Sequence, residues 1–327
     1  MTAATAGGLP PAVVLVGGQG TRLRPLTWRT PKQFLPVGGL PLLNRVVEPL
    51  AAAGVTRVVL SLGYRSEAFD RLDLGFLDVT AVPEDNPLGS GGGLAHAIRQ
   101  AEISGTFLAM NGDVVGDVDI AALLERHRST DALATILVKE VDDPSEFGVA
   151  VVDSQGRVTG FVEKPPPPAP SNLINAGVWV LESSILDRIP QDGAASIERE
   201  VFPGLAADGR MQAVVHHGWW HDVGRLDRYL AANAEYLQRG STPPGWTRAA
   251  GSLHGARARV ADDATVEASV IGEDVSVGPG AAVRGSVLLA GAEVGAAAVV
   301  ERSVIGSGWI VAEGEKVTDS ICAEGAP

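Results

Sequence analysis

Short apolar runs alternate with amphipathic stretches along the first 240 residues of the chain. Ala12–Val16 is apolar at every position, as a strand buried on both faces of a parallel sheet requires. The aliphatic residues within Leu42–Leu50 follow helical spacing, and Gly54 is well placed to end that helix. Val55–Leu62 then predicts a second strand. The chain therefore begins in the order strand, loop, helix, strand.

Six further apolar runs predict strands, and helical patterns lie between several of them. These strands are Leu77–Val82, Thr106–Met110, Ala134–Val141, Gly148–Val152, Val158–Val162 and Val178–Leu181. A last helix is predicted over Leu226–Gln238, ended by Gly240, and Ser241–Gly245 has the composition of a linker. Such alternation predicts an α/β domain whose largely parallel sheet is covered on both faces.

After residue 250 the pattern changes to small residues that surround recurring aliphatic positions. Six-residue spacings separate Val260 from Val266, Ile271 from Val277 and Val283, and Val294 from Val300. This period is typical of a β-helix, in which each coil buries one aliphatic side chain per face. We expect about two to three coils, too few for an independent catalytic domain. A cap on the main domain or a contact between subunits is the expected role.

The composition narrows the class of protein. A length of 327 residues with 45% hydrophobic and 20% charged residues is typical of a soluble globular protein with one large and one smaller domain. No apolar run approaches a membrane span, and no basic segment precedes the first strand, so we expect neither a membrane protein nor a secretory signal. The single cysteine, Cys322, excludes an internal disulfide framework and favours the cytoplasm.

The distribution of charge points to an anionic ligand. The net charge of −13 argues against nucleic acid as a partner, because neutralising phosphates needs a basic face. Yet the first 47 residues contain no Asp or Glu. They contain the cations Arg22, Arg24, Arg29, Lys32 and Arg45. We expect this segment to hold an anion, with a solvated basic loop as the alternative.

A glycine loop lies directly after the first strand. Gly17-Gly18-Gln19-Gly20 lets the backbone approach a ligand, and its N–H groups can form an anion-binding nest. Arg22 and Lys32 could neutralise phosphates there. Leu23 stands where a dinucleotide fingerprint needs glycine, and Arg22-Leu23 stands where a Walker loop needs Gly-Lys. The loop is therefore a phosphate loop of another kind.

Gly17–Thr27, followed by Pro31-Lys32 and Pro36-Val37, resembles the signature of the sugar-1-phosphate nucleotidyltransferases, the nucleotide-sugar pyrophosphorylases. Other segments resemble the same family in the same order: Pro87–Gly92, Asn111–Asp113, Glu146–Gly148, Glu163–Pro165, Asn175–Gly177 and Trp220–Gly224. With the six-residue repeats, the resemblance covers nearly all of the chain. It implies a Rossmann-like three-layer domain (residues 1–240) with a mixed, mostly parallel sheet. A short left-handed β-helix of hexapeptide repeats (residues 251–327) follows.

The resemblance also implies roles for individual residues. The implied nucleotide-binding residues are Gly17, Gly18, Gly20, Thr21, Arg22, Glu84 and Gly92. The implied sugar-phosphate residues are Asn111, Gly148, Glu163, Lys164, Asn175 and Gly177. Asp113 and Asp222 would bind Mg²⁺, which prefers such oxygen ligands, although each aspartate alone is as typical of a turn. Arg22 would stabilise the leaving pyrophosphate, Lys32 would help hold the phosphates, and Lys164 would hold the attacking phosphate.

The implied substrates are an NTP and a sugar 1-phosphate, which react by direct in-line attack to give an NDP-sugar and pyrophosphate. Pro87–Gly92 and Ser196–Pro203 resemble the guanylyl branch, whereas the thymidylyl pattern is missing around Glu84. This favours GTP and mannose 1-phosphate. A specialised pathway stays open, with a heptose, glucose or cyclitol phosphate as acceptor or with dTTP, UTP or ATP as donor.

Two other classes of function are weaker alternatives. A non-catalytic regulatory paralogue that binds a nucleotide sugar should lack a phosphate or metal ligand, and none is missing here. A hexapeptide-repeat acyltransferase needs a base within its repeats, and His254 lies only at their edge. We expect a homodimer or a higher homo-oligomer.

Overall fold

The structure is a computed structural model that describes residues 8–63, 66–71, 74–75, 77–190 and 193–325. The chain divides into two compact units. The first unit contains the chain up to Gly18 and Val46–Trp220, and the second unit contains Gln19–Arg45 and His221–Pro327. In chain order the elements before residue 240 are β1 (Ala12–Val16), β2 (Pro36–Val37), β3 (Leu40–Pro41), α1 (Leu42–Ala53), β4 (Arg57–Leu62), β5 (Asp78–Pro83), α2 (Gly89–Gln100), β6 (Thr106–Asn111), β7 (Val114–Gly116), α3 (Ile120–Arg128), β8 (Ala134–Glu140), β9 (Gly148–Val152), β10 (Val158–Glu163), β11 (Leu173–Glu182), α4 (Phe202–Ala207), β12 (Met211–His216), β13 (Trp220–Asp222) and α5 (Leu226–Arg239).

The first unit is built on one mixed sheet, which has nine strands among the described residues. The strand order is β10-β9-β11-β6-β1-β4-β5, and β8 pairs with both β11 and β12. Around β1 the pairing is parallel, with Ala12 opposite Val58 of β4 and Leu108 of β6. β11 runs antiparallel to β6, β8 and β9. The expected α/β class with a mixed sheet is confirmed.

Helices cover this sheet because its strands are apolar on both faces. Ala12, Val13 and Val14 are all fully buried, as the unbroken apolar run predicted. α2 packs Leu94 and Ile98 into the same hydrophobic cluster as Val13. Burying one such aliphatic side chain stabilises the fold by roughly 1.5–3 kcal/mol. None of the described helices is long and apolar enough to cross a membrane.

In the second unit, buried polar groups fix the β2–β3 hairpin against α5. The Gly38 N–H donates to Asn233 Oδ1 at 2.9 Å, and the Tyr229 hydroxyl donates to Pro36 O at 2.7 Å. Burial raises the pKa of Tyr229, so this hydroxyl keeps its proton. Gly240 ends α5 with φ 77°, in the left-handed conformation that favours glycine. The helix end predicted at Gly240 is confirmed.

The remaining strands of the second unit form a β-helix of the hexapeptide-repeat type, as expected. They are β14 (Thr247–Ala249), β15 (Ser252–His254), β16 (Arg259–Val260), β17 (Thr265–Glu267), β18 (Val270–Ile271), β19 (Ser276–Val277), β20 (Ala282–Arg284), β21 (Val287–Leu288), β22 (Glu293–Val294), β23 (Val299–Glu301), β24 (Val304–Ile305), β25 (Ile310–Val311), β26 (Lys316–Thr318) and β27 (Ile321–Cys322). Three sheets, in the orders β14-β15-β18-β21-β24-β27, β16-β19-β22-β25 and β17-β20-β23-β26, form its sides. All pairings are parallel except β14 with β15.

The coils of the β-helix are more numerous than expected. Val266, Val283, Val300 and Val317 are register partners in one sheet, so a coil contains 17 residues and residues 252–322, all described, complete about four coils. The expectation of two to three coils was wrong. The prediction assumed a spacing of six residues throughout, but one spacing in each coil is only five residues, for example from Val266 to Ile271.

Side chains also repeat between coils. Serines at 17-residue spacing form a ladder, in which each hydroxyl oxygen accepts the N–H of the next serine at 3.0–3.1 Å, and all of them are buried except the half-buried Ser320. The members are Ser252, Ser269, Ser286, Ser303 and Ser320. On the surface, Arg257 donates to Asp274, and Arg302 to Asp319, through two hydrogen bonds of 2.7 Å each. The same side-chain hydrogen bonds thus recur from coil to coil along the axis of the β-helix.

Candidate active site

The glycine loop of the first unit begins at the carboxyl end of β1. Gly17 and Gly18 are exposed, and a Cβ on Gly63 would lie only 2.8 Å from Gly17 Cα. Backbone can pass this close to backbone only because Gly63 has no side chain. β1 and β4 are parallel, so both carboxyl ends meet at the sheet edge where open α/β sheets bind ligands.

Glu84 holds the loop between β5 and α2. Its Oε1 accepts from Ser61 Oγ at 3.0 Å, and its Oε2 accepts from the Leu88 N–H at 2.9 Å. A Cβ on Gly93 would lie 2.5 Å from Oε1, so the glycine leaves room for the carboxylate. Both oxygens of Glu84 are therefore engaged within the protein, and its direct contact with a nucleotide stays a prediction.

Gly92 lies at the N-terminal end of α2, where backbone donors are already used. The N–H groups of Gly91 and Gly92 donate to Ala195 O at 2.8 and 3.3 Å. Gly89 has φ 72°, and a Cβ there would lie 2.5 Å from the same oxygen. A segment of the protein therefore covers this helix end, so any nucleotide contact of Gly92 does not use its N–H group in this structure.

Asn111 ends β6, and Asp113 follows two residues later. The intervening Gly112 donates its N–H to Leu15 O at 2.8 Å, and its missing Cβ would lie 2.7 Å from that oxygen. Asp113 is half-buried beyond this contact. Gly177 has φ 74°, and a Cβ there would lie 2.7 Å from Asn111 Nδ2. The structure thus brings Asn111 and Gly177 together.

Asn175 supports a bulge in β11. Its Oδ1 accepts from Trp179 Nε1–H at 2.7 Å and from the Gly177 N–H at 3.1 Å, and the residue is only 9% exposed. The β8–β11 register shifts between Asn175 and Trp179. Since the amide oxygen is used in this way, the group that Asn175 can offer a sugar is its amide nitrogen.

Gly148, Glu163 and Lys164 form one cluster. A Cβ on Gly148 would lie 2.9 Å from Glu163 Oε2, so the glycine makes room for this carboxylate. Glu163 is 16% exposed and lies 3.6 Å from Nζ of the more exposed Lys164. Burial and the charge of Glu198 raise the pKa of Glu163, whereas Lys164 opposes this rise. The carboxylate and the ammonium group predicted to bind the sugar phosphate thus lie side by side.

The second unit carries the rest of the signature segment. Gly20 has φ 62°, and a Cβ there would lie 2.9 Å from Thr27 Cγ2 and 3.2 Å from Lys32 Cβ. Thr27 Oγ1 donates to Gly20 O at 2.8 Å. Thr21 opens a short 3₁₀ turn directly after this contact. Lys32 is 6% exposed, so its aliphatic stem is packed beside the loop.

Arg22 and Asp222 lie together over the backbone of Gly224. A Cβ on Gly224 would lie 2.8 Å from Arg22 Nη2 and 3.1 Å from Asp222 Oδ1. Arg228 Nη1 donates to Asp222 Oδ2 at 3.2 Å. The glycine therefore allows a guanidinium and a carboxylate to approach the same stretch of backbone, which places the predicted phosphate and metal residues of this unit side by side.

Two arginines within the first 47 residues, the segment without Asp or Glu, have partners in the protein itself. Arg45 is 4% exposed, its Nη2 donates to Gly38 O at 2.7 Å, and its guanidinium carbon lies 4.0 Å from the centre of the Tyr236 ring. Arg29 forms an ion pair with Glu324. The expectation of an anion in this segment therefore does not extend to Arg45 and Arg29, because sequence alone does not distinguish a packed arginine from one that binds a ligand, and for Arg22 and Lys32 it stays a prediction.

Asp113 and Asp222 have the donor chemistry of magnesium ligands. Mg²⁺ is usually held by one or two carboxylates together with substrate phosphates. Among the described residues, no group of three or more His, Cys, Asp or Glu could hold a metal ion. Asp113 in the first unit and Asp222 in the second each offer hard oxygen ligands, so each residue by itself fits a metal that substrate phosphates help to bind.

Comparison with known proteins decides the family. Residues 11–239 match the family model described as nucleotidyl transferase, and residues 248–321 match the model described as GlmU-like, C-terminal hexapeptide. The chain belongs to the nucleotidyl transferase family. The glycine loop and the predicted site residues therefore belong to a nucleotidyltransferase fold, and the repeats belong to the hexapeptide domain that follows it.

Relatives match this family member over most of its length. A mannose-1-phosphate guanylyltransferase of Mycobacterium tuberculosis is 40% identical over 288 residues, which cover 84% of this chain and 78% of that protein. Mannose-1-phosphate guanylyltransferase 1 of Arabidopsis thaliana is 37% identical over 83% of this chain and 77% of its own. The crystal structure of HddC from Yersinia pseudotuberculosis, complexed with GMP-PN, has a TM-score of 0.59 and 30% identity, covering 70% of this chain and 100% of that one.

Several polar residues that support these clusters have no individual signature in the sequence. Ser61 and Ser90 bond to Glu84 and Glu198, and Asn233 bonds to the hairpin. Their partners lie 23, 108 and 195 residues away in the chain. No local pattern reveals such a pairing. The only signal was the position of Ser90 inside a glycine-rich segment.

Proposed function

We propose that this chain transfers the guanylyl group of GTP to mannose 1-phosphate, forming GDP-mannose and releasing pyrophosphate. The observation that carries the proposal is the approach of Arg22 and Asp222 to one stretch of backbone at Gly224. A cation beside a carboxylate suited to Mg²⁺ is what a metal-bound triphosphate requires. The names of the relatives from Mycobacterium tuberculosis and Arabidopsis thaliana, and the GMP-PN complex of HddC, support guanine as the base.

The proposed reaction is a direct displacement at the α-phosphorus of GTP. A phosphate oxygen of the sugar phosphate forms the new P–O bond, and the bond to the β-phosphate breaks as pyrophosphate leaves. Both substrates are polyanions, so positioning and charge neutralisation contribute most of the rate enhancement. Lys164 holds the attacking phosphate, Arg22 stabilises the charge that develops on pyrophosphate, and Lys32 binds the phosphates.

A divalent metal, Mg²⁺, is proposed to bind Asp113 and Asp222. When bound, it supplies positive charge that lowers the repulsion between the two substrates. The carboxylates need only stay ionised and correctly oriented, and Arg228 helps to orient Asp222 through its hydrogen bond. Addition of excess EDTA should remove activity, and Mg²⁺ should restore it.

The remaining predicted residues divide between the two substrates. We assign the nucleotide to the glycine loop, Thr21 and the segment of Glu84 and Gly92. The glycine loop contributes Gly17, Gly18 and Gly20. We assign the sugar 1-phosphate to Glu163 and Asn175, with close backbone approach at Gly148 and Gly177 and a contact from Asn111. Glu163 accepts from sugar hydroxyls, and the Asn175 amide donates to them.

Domain limits, assembly and location complete the proposal. We place catalysis in residues 1–240, and we propose that residues 251–327 form the contact between subunits of a homodimer or a higher homo-oligomer. We propose the cytoplasm as the location of the protein. Deletion of residues 251–327 should reduce the size of the oligomer measured by light scattering. The effect of the deletion on catalytic activity should be smaller. An unchanged size would show that these residues do not form the contact.

The decisive experiment measures pyrophosphate release with Mg²⁺. GTP, dTTP, UTP, ATP and CTP are each offered with mannose, glucose and heptose 1-phosphates. We expect the highest kcat/KM for GTP with mannose 1-phosphate, and preference for another pair would overturn that choice of substrates. Arg22→Ala should lose most activity, whereas the exposed Arg24→Ala, which removes the same charge two residues away, should not.

A further inference from the structure

A polar cavity of about 580 Å³ lies in the first unit, where the end of α3 meets two turns of the chain. The turns join β9 to β10 and α4 to β12. β11 runs antiparallel to both β6 and β8, so β6 and β8 point in the same direction, and β12 is parallel to β8. The cavity lies at the amino ends of β8 and β12, whereas Asn111 lies at the carboxyl end of β6. It is therefore separate from the predicted active site, at the opposite edge of the same sheet.

The charge of this cavity is opposite to that of the whole chain. Arg126, Arg128 and Arg157 line it, and Asp131 is the one carboxylate among the described residues that line it. Asp131 Oδ2 lies 3.5 Å from Nη1 of a fourth arginine, Arg210. In a protein with a net charge of −13, an excess of arginines around one cavity favours an anionic ligand.

The dipole of α3 does not account for all of these arginines. Arg126 and Arg128 lie in the last turn of α3, where cations stabilise the helix. Arg157 belongs to the turn between β9 and β10, so the helix dipole does not explain its position. At the helix end, Ser129 Oγ already donates to Arg126 O at 2.9 Å. The convergence of arginines from separate elements therefore needs another explanation.

Internal contacts fix the guanidinium of Arg126 in the wall of the cavity. Its Nη2 donates to Gln155 O and, at 2.7 Å, to Gln212 Oε1. A Cβ on Gly156 would lie 2.6 Å from this nitrogen, so the glycine makes room for the guanidinium. Arg126 Nε is buried and has no hydrogen-bond partner among the described residues. The protein thus holds this cation in place without using all of its donors.

The other two arginines are open to a ligand. Arg128 and Arg157 are exposed, and neither guanidinium forms an ion pair with another described residue. Asp153, in the same turn as Arg157, directs Oδ1 to the turn itself, where it accepts the N–H groups of Gln155 and Arg157 at 2.9 Å each. The cavity therefore combines one fixed cation with two cations whose donors are available.

These groups match a phosphate ester better than a phosphate ion alone. The planar guanidinium donates two parallel hydrogen bonds, which suits phosphate. A volume of about 580 Å³ exceeds what a phosphate ion needs and is typical of a small-molecule site. The Oε1 of Gln212 is already used, so its amide nitrogen is the group that it can offer to a hydroxyl of the ligand.

We propose that this cavity is a second binding site of the chain, for a small phosphate ester that carries hydroxyl groups. Arg128 and Arg157 bind the phosphate, and Arg126 supplies a fixed positive charge in the wall. The inference does not depend on the proposed function, because no residue of the cavity belongs to the predicted active site.

Isothermal titration calorimetry with glucose 6-phosphate tests the site on the full-length chain. Arg128→Gln and Arg157→Gln should each raise the Kd at least about fivefold, because hydrogen bonds between charged groups are the strong ones. Both residues are exposed, so the variants should fold, which circular dichroism checks. No binding to the wild type, or an unchanged Kd in both variants, would overturn the inference.

Two further ligands test which part of the probe is recognised. Inorganic phosphate should bind more weakly than glucose 6-phosphate, because it offers no hydroxyl groups of a sugar. Glucose, which has no charge, should not bind measurably. Inorganic phosphate that binds as tightly as the ester would show that the site takes the free ion, and the proposed ligand class would be wrong.

Two arginine variants are the controls. Arg259→Gln removes the same charge from an exposed residue of the second unit, and Arg22→Ala removes a cation of the predicted active site. Both should leave the Kd for glucose 6-phosphate unchanged. A rise in either control equal to that in Arg128→Gln would show that the probe binds elsewhere or responds only to total charge, and would contradict the site.

NMR of arginine side chains locates the probe without turnover. The Nε–H signals of Arg128 and Arg157 are assigned by their absence from the two glutamine variants. Saturating glucose 6-phosphate should shift both signals, whereas the signal of Arg259 should stay in place. Unmoved signals of Arg128 and Arg157 at a concentration where calorimetry detects binding would overturn the inference. Since no step of this test requires turnover, failure of the proposed function would leave its result intact.

Discussion

The β-helix and the α/β sheet of the first unit, called the α/β unit below, differ in whether their side-chain contacts are repeated. In the β-helix, each contact is copied on the next coil, as the bond from the Ser303 N–H to Ser286 Oγ shows. In the α/β unit, each contact is made once, as between Asn111 and Gly177 or between Glu84 and Ser61. A repeated contact stabilises the fold, whereas a unique contact orients one functional group.

Glycine shows the same difference. Gly285 of the β-helix has φ 54°, and its equivalents 17 residues apart, Ala268 and Arg302, adopt φ 47° and 45°. The turn therefore tolerates other residues at this position. Gly177 combines φ 74° with a neighbouring side-chain nitrogen where its Cβ would lie. In the site, a glycine is required by space as well as by backbone conformation.

The largest effect should come from Asp113→Ala. Loss of a proposed metal ligand leaves two polyanions less well neutralised, so kcat/KM should fall at least about 100-fold, which corresponds to about 2.7 kcal/mol in the barrier. The circular dichroism spectrum and Tm should stay close to those of the wild type. Asp142→Ala removes an exposed carboxylate of the same unit and should keep full activity. Full activity of Asp113→Ala would remove this residue from the proposed metal site.

The next largest effect should come from Gly177→Ala. Its new Cβ would lie 2.7 Å from Asn111 Nδ2 at a positive φ, so we expect a loss of about 3 kcal/mol in the free energy of unfolding, together with reduced turnover. Gly209→Ala is the control, since Gly209 has φ 68° but no atom within 4 Å of the Cβ position. Its loss should be about 1 kcal/mol, without loss of turnover. Urea unfolding of both variants measures the difference, and equal losses would contradict the role of the contact.

In the β-helix, Ser286→Ala should lower stability and leave catalysis unchanged. The substitution deprives the buried Ser303 N–H of its acceptor, which costs about 1–3 kcal/mol in the free energy of unfolding. Ser276→Ala, on the outer side of a neighbouring strand, is the matched control and should have little effect. A large fall in kcat/KM for Ser286→Ala would show that the repeats contribute directly to the chemistry.

The smallest effect should come from the exposed ion pair of Arg257 and Asp274. Hydrogen bonds from Arg257 lower the pKa of Asp274 below its ordinary value of 3.8. The pair therefore stabilises the fold above that value, and this contribution is lost as the pH falls through the lowered pKa. Asp274→Asn should lower Tm slightly at pH 7, less than Ser286→Ala does, and the difference should vanish in acid. A difference in Tm that persists in acid would point to a cause other than charge.

Local patterns predicted much of the fold. β1 and β9 have the bounds that their apolar runs gave, since buried strands need apolar side chains at every position. Only the second half of β11 was predicted, because the Asn175-Ala-Gly bulge interrupts its apolar run. In both β11 and the β-helix, the error came from a change of period within an otherwise regular pattern.

The site was less predictable than the fold. Glycine and charge patterns marked candidate segments, but they could not show that Arg45 packs inside the protein or that Ala195 covers the N–H of Gly92. Those features depend on partners that come together only in the folded chain. Motifs therefore locate a site, and tertiary contacts decide which atoms remain open to substrates.

The most direct test of this account is the kcat/KM of the purified full-length chain for GTP with mannose 1-phosphate, measured by formation of GDP-mannose. The account predicts efficient turnover, at least about tenfold above dTTP with glucose 1-phosphate, which corresponds to about 1.4 kcal/mol of discrimination. Equal turnover of both pairs would contradict the choice of substrates. No turnover with any pair, by a folded protein in Mg²⁺, would contradict the proposed catalytic function.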